Sequence, residues 1–178
     1  MRHTLIFPLP MLLVALTAPL AASAQTDDCV RGLPEPVLQK AVFPTAKFQL
    51  NKARREGTET AQLGGGTRLT LLNAGCEYYT LTFRFEGQLR TVPADTRAWY
   101  RQAAALLRQT APGLQAPVHP LQAAAALTRA AGAKAAPALN QELHYDGEEI
   151  RETVALAKVR KVGSTGYNLE LTVSLGPL

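Results

Sequence analysis

The stretch NAGCEYYTLTFRFEG, residues 73 to 87, carries the clearest structural pattern in this chain. From Cys76 onward, apolar and polar side chains alternate at period two, which is the pattern of a half-buried β-strand. One set would be buried, namely Tyr79, Leu81, Phe83 and Phe85. The other set would face solvent, namely Tyr78, Thr80, Thr82, Arg84 and Glu86. The stretch therefore predicts a sheet with one polar face.

The cysteine in this stretch has a single possible partner, because Cys29 and Cys76 are the only two cysteines of the chain. Two cysteines are too few for a structural zinc site, and a nucleophilic cysteine needs a nearby thiolate-stabilising group. We predict a Cys29–Cys76 disulfide, which the chain-entropy model values at roughly 4 kcal/mol. If the strand already runs at Cys76, the bridge would hold the amino-terminal segment beside the solvent face.

The amino terminus has the three parts of a secretory signal peptide. Arg2 precedes an apolar run over residues 5–20, and the small-residue site Ala22-Ser23-Ala24 follows. The alternative is a membrane anchor, but an apolar run of this length, broken by prolines, falls short of the roughly 20 residues that a spanning helix needs. We therefore predict a signal peptide over 1–24 and export from a bacterial cell, to the periplasm or beyond. In an oxidising compartment the two thiols are expected to pair.

The remaining residues, 25–178, have the length of one domain. The net charge is +5 for the whole chain, and loss of the single basic residue Arg2 with the signal leaves +4. This modest balance, without a concentrated basic face, argues against a nucleic-acid partner. No later stretch is apolar enough to span a bilayer, so we expect no transmembrane segment.

Strands are predicted on both sides of the quoted stretch. KFQLNK, TETAQL and TRLTLLN precede it and form a first strand group over 47–92, behind an amino-terminal segment over 25–46. The triple glycine 64–66 between two of them lacks the Lys-Ser/Thr ending of a phosphate-binding loop. We interpret it as a hairpin turn.

The middle of the chain, 95–133, is predicted to be a helical insertion. Asp95 is suited to cap a first helix ending near Thr110, with an apolar stripe that includes Trp99. A second, alanine-rich helix would run from about Leu121 to Ala131. The alternative for part of 111–138 is a mobile Ala/Pro-rich connection.

Strands return over 139–176. LHYDGEE indicates a hairpin that turns at Asp146-Gly147, and GYNLELTVSL alternates like the quoted strand. The segment 148–162 has acidic residues at its start and basic residues at its end, as a helix favours, but its β-branched residues favour a strand. We therefore predict an α+β fold, an antiparallel β-sheet with a two-helix insertion packed on one face.

Candidate chemistry is sparse. The only local cluster of metal-ligand residue types is Glu142, His144 and Asp146, and it has no recognised metal spacing, so a solvated turn is the simpler interpretation. Ser164 and Ser174 lie outside any nucleophile motif. We predict no cofactor and no catalytic residue.

Two basic clusters are more ordinary features: Lys52, Arg54 and Arg55, and Lys158, Arg160 and Lys161. Basic residues of this kind usually lie in loops and at strand ends, where they are solvated and have no binding role. The functional alternative is docking onto anionic envelope material.

By elimination, the sequence predicts a non-catalytic binding module of the bacterial envelope or secretome, in one form an inhibitor. Its partner would be an envelope component or another secreted protein, contacted through Tyr78, Thr80, Thr82 and Arg84. The alternatives are a small secreted hydrolase or metal-dependent enzyme that uses the His144 region, and a structural envelope protein. A cleft around His144 would favour the enzyme, whereas a flat polar sheet would favour binding. The oligomeric state is not specified by the sequence.

Overall fold

The computed structural model describes residues 29–146 and 150–178, so the predicted signal peptide and Gly147 of the predicted turn lie outside the described residues. The described chain has one seven-stranded antiparallel sheet and two α-helices, which confirms an α+β fold. The strands are β1 Lys47–Asn51, β2 Glu56–Gln62, β3 Arg68–Ala74, β4 Tyr79–Gln88, β5 Leu143–Asp146, β6 Arg151–Val162 and β7 Gly166–Gly176. The helices are α1 Thr96–Thr110 and α2 Pro120–Gly132.

The sheet is built from two meanders. Its order is β1-β2-β3-β4-β7-β6-β5, so β1 to β4 are neighbours in chain order and β5 to β7 follow in reverse. The two meanders meet where β4 pairs with β7 over ten residue pairs, from Tyr79 opposite Leu175 to Gln88 opposite Gly166. Residues from both halves of the chain therefore lie side by side at the centre of the sheet.

The alternation in the quoted stretch is confirmed in β4. Leu81, Phe83 and Phe85 are fully buried, whereas Thr80, Thr82 and Arg84 between them are not. Within the ambiguous segment 148–162, Arg151–Val162 form strand β6, as predicted, and the apolar residues Val154 and Leu156 of this strand belong to the buried core. The glycines at 64–66 form a short 3₁₀ turn between β2 and β3.

Both helices begin close to the predicted residues. The Asp95 side chain accepts a hydrogen bond of 2.7 Å from the Ala98 N–H, which confirms the predicted cap of α1. Pro120 occupies the first turn of α2, where its missing N–H costs nothing. Trp99 of α1 reaches Tyr167 of β7, with ring centroids 6.0 Å apart. Buried residues of helices and strands thus join in one core.

The predicted disulfide between Cys29 and Cys76 is present, with the two Cα atoms 5.1 Å apart. The expectation that it holds the amino-terminal segment beside the solvent face is wrong. Cys76 lies in the β3–β4 connection, before β4 begins, so its side chain does not take part in the strand's alternation.

The segment beyond Cys29 packs instead into the core, where Val37, Leu38 and Phe43 are buried. Its backbone pairs with the connection between the helices, through Gln115 N–H to the Val37 carbonyl at 2.7 Å. The buried side chain of Glu59 on β2 also accepts from it, at 2.7 Å from the Val37 N–H and 3.0 Å from the Leu38 N–H. The segment is therefore a part of the core.

Candidate ligand-binding site

The polar face of β4 is continuous with the polar face of its neighbour β7. Thr82 lies opposite Thr172, and Thr80 lies opposite Ser174 with the two hydroxyl oxygens 3.4 Å apart. These side chains are neither buried nor fully exposed. They form a band of hydroxyl groups across the centre of the sheet.

The charge on this face is balanced in place. The Arg84 Nε donates to Glu170 Oε2 across the β4–β7 pair at 2.7 Å. Because the two side chains are 54% and 30% exposed, this pair contributes little to stability. It does fix the direction of the Arg84 guanidinium, so that any ligand here meets an ion pair instead of a free cation.

Tyr78 stands immediately before β4, and 45% of its surface is exposed. The ring lies against Gly176 at the end of β7, where a Cβ atom would come within 2.6 Å of Tyr78 Cδ1. The Leu178 N–H donates to the Glu77 carbonyl at 2.7 Å on the same side. Residues 176–178 therefore support the Tyr78 ring from one side.

A cleft of about 680 Å³ opens beside this ring. Its lining brings together two sets of residues that the sequence analysis selected separately, Tyr78 from one and Glu142 and His144 from the other. Arg151, Thr153 and Ser174 complete its polar lining. The cleft thus offers a phenol ring, two aliphatic hydroxyl groups, a carboxylate, a guanidinium and an imidazole to a single ligand.

The predicted metal cluster is divided by a local irregularity of β5. His144 pairs with Thr153 on β6, whereas Asp146 pairs with the very next residue, Glu152, because the register shifts between them. Glu142 and His144 line the cleft, but Asp146 lies 3.3 Å from the His119 ring. Within the described residues, the His144 ring has neither a hydrogen-bond nor an ion-pair partner.

Asp146 belongs to a second cluster with His119 and Glu152. Glu152 Oε1 lies 2.6 Å from His119 Nδ1, and Glu152 Oε2 accepts from the His119 backbone N–H at 2.9 Å. The Glu152 side chain is 5% exposed, against 38% for Asp146 and 60% for His119. The cluster is therefore closed at the glutamate and open to solvent at the histidine.

His119 and Glu152 were missed by the sequence analysis, although one signal was present. Glu152 has the same phase on β6 as the buried Val154 and Leu156. A charged residue on the buried face of a strand needs partners, because burial of an unpaired charge is costly. Nothing in the sequence indicates that the partner lies at the start of α2.

Tyr145 lies next to this cluster. Its hydroxyl oxygen is buried and meets no partner with hydrogen-bonding geometry among the described residues. Burial raises the pKa of Tyr145, and the interaction with Glu152 and the charge of Asp146 raise it further. The cluster therefore has a strongly anionic neighbourhood.

The two basic clusters do not form one surface. Lys52, Arg54 and Arg55 lie in the β1–β2 connection, at the end of the sheet where β3 ends and β6 begins. Lys158, Arg160 and Lys161 lie at the opposite end of the sheet, toward the end of β6. Arg54 Nε also lies 3.1 Å from Glu56 Oε2. Each cluster would have to act alone.

Comparison of the chain with protein-family models, with curated proteins and with solved structures finds no match. No helix within residues 29–146 and 150–178 has both the length and the apolar character needed to cross a membrane.

Proposed function

We propose that this chain is an exported, non-catalytic binding module whose partner contacts the polar face of β4 and β7. In this proposal the two-helix insertion packs on the opposite face and leaves Tyr78, Thr80, Thr82 and Arg84 accessible. The observation that carries it is the cleft that joins Tyr78 to Glu142, His144 and Arg151. The cleft extends the β4 face to the edge strand β5.

The lining of the cleft favours a polar partner of low net charge. Glu142 and Arg151 present opposite charges, and Thr153 and Ser174 add hydroxyl groups that donate and accept hydrogen bonds. The Tyr78 ring supplies the apolar surface that anchors many interfaces at low entropic cost. We propose an envelope component as the partner; capture of another secreted protein, including an enzyme that the module inhibits, is the other outcome of the test.

The test is capture from envelope and secreted fractions by the exported, oxidised protein. The affinity tag is inserted after Gln25, because the carboxy terminus at Leu178 binds Glu77 beside the cleft. Bound material is identified by mass spectrometry. We expect one enriched partner that is lost with the double variant Tyr78→Ala and Arg151→Ala.

A matched control changes residues on β2 and β3, away from the cleft. Thr60 and Arg68 line a separate depression there, and both are at least partly exposed. The double variant Thr60→Ala and Arg68→Ala should capture as much partner as the unchanged protein. Equal loss in both double variants, or no loss in either, would contradict the proposed surface.

A cleft around His144 also favours the second candidate, a secreted enzyme that uses this region. Against it, His144 has no oriented partner among residues 29–146 and 150–178 of the kind that a general base or nucleophile-activating histidine has. The two candidates differ in what happens to the partner. If the captured partner is recovered intact after long incubation, binding is supported; conversion that disappears with His144→Ala would support the enzyme.

A further inference from the structure

We propose that His119, Asp146 and Glu152 bind a divalent transition-metal ion such as Zn²⁺, at a site separate from the cleft. The three residues come from three segments, namely the residue before α2, the end of β5 and the start of β6. One ligand atom from each lies within 4.8 Å of the other two. This inference does not depend on the proposed binding function.

The spacing of the atoms suits a small ion. Ligand atoms around a tetrahedral ion bound at about 2.1 Å are separated by roughly 3.4 Å. His119 Nδ1 and Asp146 Oδ2 are 3.3 Å apart, which matches this value. His119 Nδ1 and Glu152 Oε1 are 2.6 Å apart, so this contact must widen by less than about 1 Å.

The surroundings of Glu152 support its role as a ligand. One of its oxygens is held by the His119 backbone N–H, which leaves the other to point at the imidazole. Outer contacts of this kind orient carboxylates in metal sites. Glu152 is also buried, so its position is set by the β6 strand before any ion binds.

The irregularity in β5 is the second observation that favours a site. Without the register shift after His144, Asp146 would not lie opposite Glu152. Such irregularities are frequent next to functional sites, where they redirect a side chain. Here the shift directs Asp146 to His119 and away from the cleft.

The chemistry of the three ligands selects among ions. Two carboxylates and one imidazole suit Zn²⁺ and its neighbours, whereas Ca²⁺ requires six or more oxygen ligands. Binding replaces the proton on His119 Nδ1, and the neutral imidazole then keeps its single proton on Nε2. Three protein ligands leave at least one position of the ion open to water.

The test uses the full exported protein, stripped of metal with a chelator and then titrated with Zn²⁺ in a calorimeter. We expect one equivalent to bind and the melting temperature to rise, because a ligand of the folded state stabilises it. His119→Ala and Asp146→Asn should each weaken Zn²⁺ binding by more than about tenfold. Circular dichroism of both variants checks that they remain folded.

His144→Ala is the matched control, because His144 is the only other histidine that the structure describes. It should bind Zn²⁺ like the unchanged protein. Co²⁺ gives a second readout, since its visible absorption reports a tetrahedral site, and the band should persist in His144→Ala and disappear in His119→Ala. The proposal is overturned if no Zn²⁺ binds, or if binding survives His119→Ala and is lost in His144→Ala.

Discussion

Glu59 and Glu152 occupy equivalent places in the two meanders of the sheet and differ in what they bind. Each is a glutamate on the buried face of a strand, with 3% and 4% of its surface exposed. Each also accepts a backbone N–H from a segment outside the sheet. Glu59 binds two backbone N–H groups, from Val37 and Leu38, whereas Glu152 binds one, together with the His119 ring.

Because their partners differ, Glu59 makes a purely structural contact, whereas Glu152 is accessible to an ion or a proton. Both oxygens of Glu59 are occupied by neutral donors inside the core, so no ligand can replace them without unfolding the amino-terminal segment. Glu152 shares its partner His119 with the more exposed Asp146. Its network therefore reaches solvent, where an ion or a proton can enter.

The largest expected effect is the loss of the disulfide, which ties the start of the segment that Glu59 binds to the β3–β4 connection. Replacing both Cys29 and Cys76 by Ser should lower the free energy of unfolding by roughly 4 kcal/mol, measured by urea denaturation. Amide exchange should accelerate first at Val37 and Leu38. If the His119 amide accelerates equally below global unfolding, the two regions are not independent and the comparison fails.

The second prediction compares the two glutamates directly. Glu59→Ala should cost about 3 kcal/mol of unfolding free energy, because it leaves two buried N–H groups without acceptors. Glu152→Ala should cost about 1–2 kcal/mol, because water can reach the His119 end of that network. Denaturant titration measures both, with the exposed Glu86→Ala as a control expected to change by less than about 0.5 kcal/mol. A larger cost for Glu152→Ala than for Glu59→Ala would reverse the comparison.

The third prediction concerns alkaline stability, since each glutamate has a tyrosine nearby. Burial raises the pKa of both Tyr145 and Tyr79 above the ordinary 10.0. Glu152 raises that of Tyr145 further, whereas Arg31, 4.0 Å from the Tyr79 ring centroid, opposes the rise at Tyr79. A raised pKa favours the neutral tyrosine in the folded state, so this stability is complete below about pH 10 and is lost as the pH rises through the folded-state pKa.

Tyr145→Phe should therefore retain more stability than the unchanged protein above about pH 10, by up to about 1 kcal/mol at pH 11. Urea denaturation at neutral and alkaline pH measures the difference. Tyr79→Phe should give a smaller alkaline gain, since Arg31 already favours the charged form. An equal gain from the two variants would show that the glutamates do not distinguish the two regions.

The smallest effect is expected for His119→Ala without added metal. The side chain is 60% exposed, and the backbone N–H that binds Glu152 survives the substitution. The cost in unfolding free energy should be below about 1 kcal/mol. A cost near that of Glu152→Ala would mean that the ring, and not the backbone, secures the start of α2.

Local patterns were sufficient to predict most elements of this fold. Alternation identified β4 and β7, and the Asp95 cap placed α1. The order of the strands was not predicted, because the β4–β7 pairing joins residues far apart in sequence. The burial of Val37 and Leu38 was also missed, since an irregular, proline-rich segment has no periodicity that reveals its apolar face.

The candidate sites show the same limit. Glu142, His144 and Asp146 were predicted to lie together from their spacing alone. A single shift in register places Asp146 in a different cluster, with His119 and Glu152. Tyr78 and His144 were selected for unrelated reasons, and only the meeting of β4, β7, β6 and β5 brings them to one cleft. Whether they bind a partner together remains the prediction that the capture experiment tests.

The two-meander order of the sheet has a consequence for how the chain is assembled. Strands β1 to β4, the connection at Cys76 and the cysteine at 29 all precede residue 89. Contacts between near neighbours form faster than distant ones. The first meander and its crosslink can therefore form before the second meander does, which leaves the β4 edge available to pair with β7.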